Sequence, residues 1–205
     1  CIRDRTYPGT AVVENTVPTF IHSPTCGELP GWRRHDSPLA LCLNLTDEFI
    51  RYPAMSSLLI CYHSQSGSCV RLAQAAWRGA RQEEGATVSA MRAWDAGIGD
   101  LRGADGLLLV VAENSGSLSG GGKDFLDRVF YPAIDAELVL PFALVISAGN
   151  DGRGARRQAQ TILSGIPFTP AAEPVICRGP VTGQHLTACE ALGLGLAAGL
   201  GMGIY

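Results

Sequence analysis

The residues best suited to chemistry lie in three short polar loops. The first is Ser64-Gln65-Ser66-Gly67-Ser68-Cys69, placed between the apolar run Leu58-Leu59-Ile60-Cys61-Tyr62 and a helical pattern that starts at Val70. A helix start after a tight loop offers an anion unpaired backbone N–H groups and the positive end of the helix dipole. Ser64, Ser66 and Ser68 add hydroxyl donors, and Gly67 lets the backbone come close. This is the chemistry of a phosphate cradle. The second loop runs from Glu113 to Gly122, rich in Gly and Ser with one acid. The third is Ala148-Gly149-Asn150-Asp151-Gly152.

Each loop follows a predicted strand. Strand one is expected over 58–63 and helix one over 69–84, ending before Gly85. Strand two is Thr87 to Met91. A loop with Trp94, Asp95 and Gly97 leads to a helical turn near 100–102. Strand three, 106–111, is continuously apolar, as a strand buried on both faces should be. Helix three runs from Lys123 to about Tyr131, stopped by Pro132. Strand four covers 142–147, helix four 155–163, strand five 175–177, and helix five starts near Thr182. Strands alternating with helices imply an α/β fold, a parallel sheet with helices on both faces and right-handed crossovers. Such sheets bind ligands outside the carboxyl ends of the strands, where strand order reverses. All three loops fall at that edge.

Composition narrows the classes. The chain has 205 residues, 46% hydrophobic and 17% charged, with a formal net charge of −3. That charge and the lack of a lysine-rich run argue against nucleic-acid binding. Seven cysteines without a C-x-x-C pair argue against a zinc ribbon or a disulfide framework, and point to a reducing, cytoplasmic setting. Leu186 to Tyr205 is apolar but carries Glu190, five glycines and no basic flank, so a buried helix closing the sheet is favoured over a membrane span. Residues 1–54 hold six of the twelve prolines and show no sustained period. They are expected to be an irregular, disordered leader or upstream sequence foreign to the working protein, whose domain would span 55–205 from Met55. A lid or dimer arm is the alternative.

Known phosphate motifs fail. Gly121-Gly122-Lys123-Asp124 ends like a Walker A loop but has one residue too many and Asp where a hydroxyl is needed. The dinucleotide pattern G-x-G-x-x-G is absent after strand one. A phosphatase loop from Cys61 finds Gly67 where Arg is required, and the nucleophile elbow around Ser119 finds Ser117 where Gly is required. A hydroxyl-rich loop without lysine remains, suited to the single phosphate of a held mononucleotide.

Ser64-x-Ser66-Gly67-x-Cys69 resembles the [ST]-x-[ST]-G-x-T phosphate loop of flavodoxins, with Cys69 at the usual Thr. Glu113-x-x-Gly116-Ser117-x-x-Gly120-x-x-Lys123-x-x-x-Asp127 resembles the motif after the third strand of NAD(P)H-dependent FMN reductases. Ala112 stands at that family's usual Pro, and Asn114-Ser115 at its usual Tyr-Asn. The similarity covers about residues 56–205. It implies a flavodoxin-like three-layer sandwich with a five-stranded parallel sheet in the order 2-1-3-4-5. It also implies FMN as cofactor. Ser64 to Cys69 (Ser64, Gln65, Ser66, Gly67, Ser68, Cys69) would hold the phosphate. Glu113, Asn114, Ser115, Gly116, Ser117 and Leu118 would contact the isoalloxazine, and Gly149, Asn150, Asp151 and Gly152 its pyrimidine edge.

Plainer explanations stand beside these. Ser/Gly loops are common wherever turns are needed. Asp151 could simply cap helix four. Lys123 and Asp127 are spaced as an exposed i,i+4 ion pair. His63 fits a satisfied edge residue better than a ligand contact, and Cys61 and Cys177 fit core packing. His22, His35 and Cys26 are too scattered for a metal site, and no catalytic acid/base residue stands out.

Two FMN functions follow from the resemblance. Electron-carrying flavodoxins place an aromatic beside the ring after strand three and surround it with acids. Here Glu113 to Gly122 has no aromatic and one acid, which leaves the ring open to a nicotinamide. An NAD(P)H-dependent oxidoreductase using NADPH or NADH and a small acceptor (quinone, flavin, azo compound or oxidised metal) is favoured over a carrier. A flavin-free binding module is the third possibility. Such reductases often form a homodimer or homotetramer, with Trp94 and Tyr131 as interface or core residues. A chain starting at Met55 is expected to fold and bind FMN like the full chain, checked by circular dichroism melting and FMN titration.

Overall fold

The computed structural model describes residues 55–205, so the expectation for 1–54 lies outside the described residues. The elements are β1 (Ser56–Tyr62), α1 (Ser68–Ala80), β2 (Ala86–Arg92), α2 (Ile98–Arg102), β3 (Gly106–Asn114), β4 (Ser117–Leu118), α3 (Gly120–Asp135), β5 (Pro141–Ala148), α4 (Arg153–Gly165), β6 (Thr169–Pro170), β7 (Val175–Arg178) and α5 (Gly183–Gly201). The parallel lanes run β2-β1-β3-β5, with β6 and β7 sharing the outer lane beside β5. This is the expected order, with β5 as the fourth lane. Strand order reverses at β1, so the carboxyl ends of β1, β3 and β5 form one rim.

Alternation along the strands separates two cores. Leu59, Cys61, Leu107, Leu109 and Leu144 face α3 and α4. Leu58, Ile60, Leu108, Val110 and Val145 face α1 and α5. Leu107 to Val111 are fully buried, which explains why β3 reads as an unbroken apolar run. Cys61 and Cys177 are fully buried core residues, as expected.

Three expectations are corrected. Pro132 does not stop α3, which continues to Asp135. Pro132 lies in the last turn, where its missing N–H forfeits one bond, and buried Val129 and Ala133 hold that turn against the sheet. Strand five lies where expected, as β7, but an unforeseen two-residue strand, β6, precedes it in the same lane. The loop after β3 contains an unexpected strand, β4. Among the described residues no helix is long and apolar enough to cross a membrane. The segment from Leu186 serves instead as α5, packed on α1.

The α1–α5 contact is close because glycines line it. A Cβ on Gly79 would run into the Glu190 backbone carbonyl, and one on Gly193 into that of Ala76. Exposed Arg78 and Glu190 add an ion pair at 2.8 Å, worth little in water. Gly79→Ala is expected to destabilise the fold by about 1–3 kcal/mol through overpacking. Gly195→Ala, which meets nothing within 4 Å, should instead add about 0.5–1 kcal/mol from helix propensity. Urea unfolding of the two variants checks the opposite signs.

Candidate functional site

At the end of β1, Gly67 takes φ +89° and forms the N-cap of α1. A side chain there would be strained, although no atom lies within 4 Å of its Cβ position. The Gly67 N–H donates to Ser64 Oγ at 3.1 Å, which folds the loop. Arg71 N–H closes the first helical turn on the Gly67 carbonyl at 3.2 Å. The amides preceding Arg71 therefore have no carbonyl within the helix to reach. Ser66 and Ser68 hydroxyls lie 3.3 Å apart at the exposed mouth. Open space, helix amides and hydroxyls fit one phosphate. Cys69 differs from expectation. Its side chain is buried in the α1–α5 core and burial pushes its thiol pKa up to about 12, so it offers the cradle only its backbone.

The second loop is a hairpin. Ser115 and Gly116 take φ +51° and +73°, the two positive angles of a tight two-residue turn between β3 and β4. The sequence signal was Ser-Gly between Asn114 and Ser117, masked by the surrounding Gly/Ser run. The hairpin folds back on α4. Leu118 N–H donates to Gln158 Oε1 at 2.9 Å, and Gly154 lies so close to the Gly116 carbonyl that a Cβ would collide. The Leu118 side chain is buried, so it belongs to the core and not to the rim.

Side chains join the three loops directly. Asn114 Nδ2 donates to Gln65 Oε1 at 2.9 Å, tying the hairpin to the phosphate loop. The Glu113 carboxylate accepts from Asn150 N–H at 3.1 Å and Gly152 N–H at 3.2 Å, tying it to the third loop. Gly152, with φ +72°, is the N-cap of α4. Asp151 is therefore not the cap residue, although its Oδ1 accepts from Arg153 N–H at 3.0 Å. Asn150 and Gly152 amides already serve Glu113. Lys123 and Asp127 form the expected exposed ion pair at 2.6 Å. Trp94 and Tyr131 are 60% and 72% exposed, so neither is a core residue.

One group beside the cradle outgrows its sequence reading. His63 is only 5% exposed, and its Nδ1 lies 3.0 Å from the Oγ of fully buried Ser119. Trp94 meets the imidazole edge-on, with centroids 5.5 Å apart. Burial disfavours the charged ring and lowers the His63 pKa from its ordinary 6.5.

No protein-family model matches the chain, and no curated protein matches it. Solved structures do. The chain is similar to a flavodoxin from the domain Archaea at 17% identity and TM-score 0.63, over 70% of this chain and 98% of that one. The chain has a flavodoxin-like fold. It is also similar to the flavodoxin, WrbA-like protein from Agrobacterium tumefaciens, at 19% identity and TM-score 0.58 over 71% and 97%. Rubredoxin oxygen:oxidoreductase from Desulfovibrio gigas matches at 16% identity and TM-score 0.63 over 72% of this chain. The flavodoxin-like fold here spans 37% of that larger chain.

Glu113→Ala should release the third loop and lower stability by about 1–3 kcal/mol, as expected for lost charge-assisted bonds, measured by urea unfolding. The lowered His63 pKa gives a pH prediction. The unfolded ring binds its proton at higher pH than the folded ring. Stability from this group is therefore complete above the ordinary value of 6.5 and falls as pH drops through the lower folded value. His63→Gln should flatten that acid limb in unfolding curves recorded across the range.

Proposed function

We propose that the rim binds FMN and that the protein is an NAD(P)H-dependent oxidoreductase serving a small acceptor such as a quinone or free flavin. The observation that carries this is the direct bonding of three turns, through Gln65, Asn114 and Glu113, beside an open helix start. Ser64, Ser66, Ser68 and the first amides of α1 would take the phosphate. The hairpin and the third loop would form the wall beside the ring. Bound FMN would supply the redox chemistry, while the protein orients it and limits what reaches it.

Two features favour a reductase. Neither the hairpin (113–118) nor the third loop (149–152) has an aromatic side chain to cover a ring face. In addition, α4 starts beside the third loop with Arg153, Arg156 and Arg157 and no acid in its first turn. With Gln160 and Thr161, and with Phe142, Phe168 and Pro170 at the amino end of the β5 lane, they line a groove of about 480 Å³ that runs along α4. Arg157 has no ion-pair partner among the described residues. Arg153 and Arg156 pair with Asp151 and Glu173, so Arg157 is the arginine most open to a phosphate of a nicotinamide dinucleotide. The similar flavodoxins favour the second reading, an FMN electron carrier without its own NAD(P)H activity.

Purified protein mixed with FMN should turn yellow, with the ~450 nm band of bound flavin. Anaerobic NADPH or NADH should then bleach it. Bound FMN that neither nicotinamide bleaches would leave the carrier, and no FMN binding would end both readings. Gly67→Val should weaken FMN binding by about 5- to 30-fold, since forcing a Cβ into the left-handed region costs about 1–2 kcal/mol.

A further inference from the structure

On the β2 side of the phosphate loop lies a second cleft, of about 170 Å³, lined by Tyr62, His63, Ser64, Val70, Arg92 and Trp94. At about 30 Å³ per water it has room for roughly six waters, or for one small ring with a polar substituent. Its polar groups can donate. Arg92, at the end of β2, is exposed, and its guanidinium makes no ion pair or hydrogen bond among the described residues. The Ser64 hydroxyl oxygen accepts from Gly67 N–H, which leaves its own proton to give. His63 is held by Ser119 at Nδ1, while its Nε2 has no hydrogen-bond partner among the described residues. When Ser119 donates to Nδ1, the ring carries its proton at Nε2 and becomes a third donor. No acidic side chain lines the cleft.

Part of the wall is apolar. Trp94 leaves 60% of its surface exposed, and Tyr62 and Val70 line the cleft with it. A guanidinium, a hydroxyl and an imidazole beside an open indole select an anion carried on a flat apolar body. A bare inorganic anion would use the donors and leave the indole wet. We propose that this cleft binds a small aromatic carboxylate, with the carboxylate on Arg92, Ser64 and His63 and the ring against Trp94. The site lies between the β1 and β2 lanes and its test requires no flavin; it shares Ser64 with the proposed FMN rim, and Arg92 and Trp94 are its own.

The test is calorimetric titration of the full-length protein, without flavin, with sodium benzoate. Tryptophan fluorescence is followed in parallel. One saturable site is expected. Arg92→Gln should weaken it at least tenfold, and since Arg92 is exposed and unpaired, its unfolding curve should match the parent's. Trp94→Leu should weaken benzoate more than it weakens inorganic phosphate. Cyclohexanecarboxylate, equal in charge but not flat, should bind several-fold less tightly than benzoate. Absence of saturable benzoate binding would overturn the proposal. So would affinity unchanged in Arg92→Gln, or phosphate binding as tightly as benzoate.

Discussion

Glu113 closes the last turn of the central strand, and its carboxylate spans to the amides of Asn150 and Gly152. Without it, the end of β3 and the end of β5 would be two separate exposed loops. Loops are ordinarily the most mobile parts of a fold. Two charge-assisted bonds convert them into one wall. Asn114, the next residue, faces the other way and joins the same wall to Gln65 in the phosphate loop. Two consecutive side chains at the end of one buried strand thus tie all three turns together. Successive strand residues point to opposite sides, which is why neighbours can reach different loops.

The wall is only as fixed as the platform under it. Leu107 to Val111 are sealed on both faces, by α3 and α4 on one side and by α1 and α5 on the other. The glycine contact between α1 and α5 seats α1 deeply, and with it the amides at its start. The same burial takes Cys69 away from the cradle, since the first buried position of α1 must face the core. The loop between β1 and α1 consequently presents backbone and serine groups at its mouth.

The surroundings of the rim separate possible functions more than the fold does. Flavodoxins and larger oxidoreductases share this architecture. Function in this chain therefore has to be read from its own bare hairpin, the arginines of α4 and the cleft beside His63. Open apolar faces and unpaired cations near one another suit small charged aromatic molecules, and nicotinamides and aromatic carboxylates both belong to that class.

Much of the fold was legible in residue order. Strand-helix alternation, the unbroken apolar run of β3 and the polar loops after β1, β3 and β5 required a parallel sheet with one polar rim. Local chemistry determined the turn between β1 and α1 too, because Gly67 and its neighbouring serines act within a few residues of chain. Other features needed the third dimension. Pro132 could stay inside α3 only because Val129 and Ala133 anchor its last turn. The Glu113 bridge joins positions 37 residues apart, and the Gln65–Asn114 bond joins positions 49 apart. His63 looked like an edge residue until Ser119, 56 residues away, and Trp94 closed around it. Periodicity and turn chemistry act over short spans, so they define elements. Which side chains meet between those elements is decided only when the sheet assembles and burial makes each unpaired polar group costly.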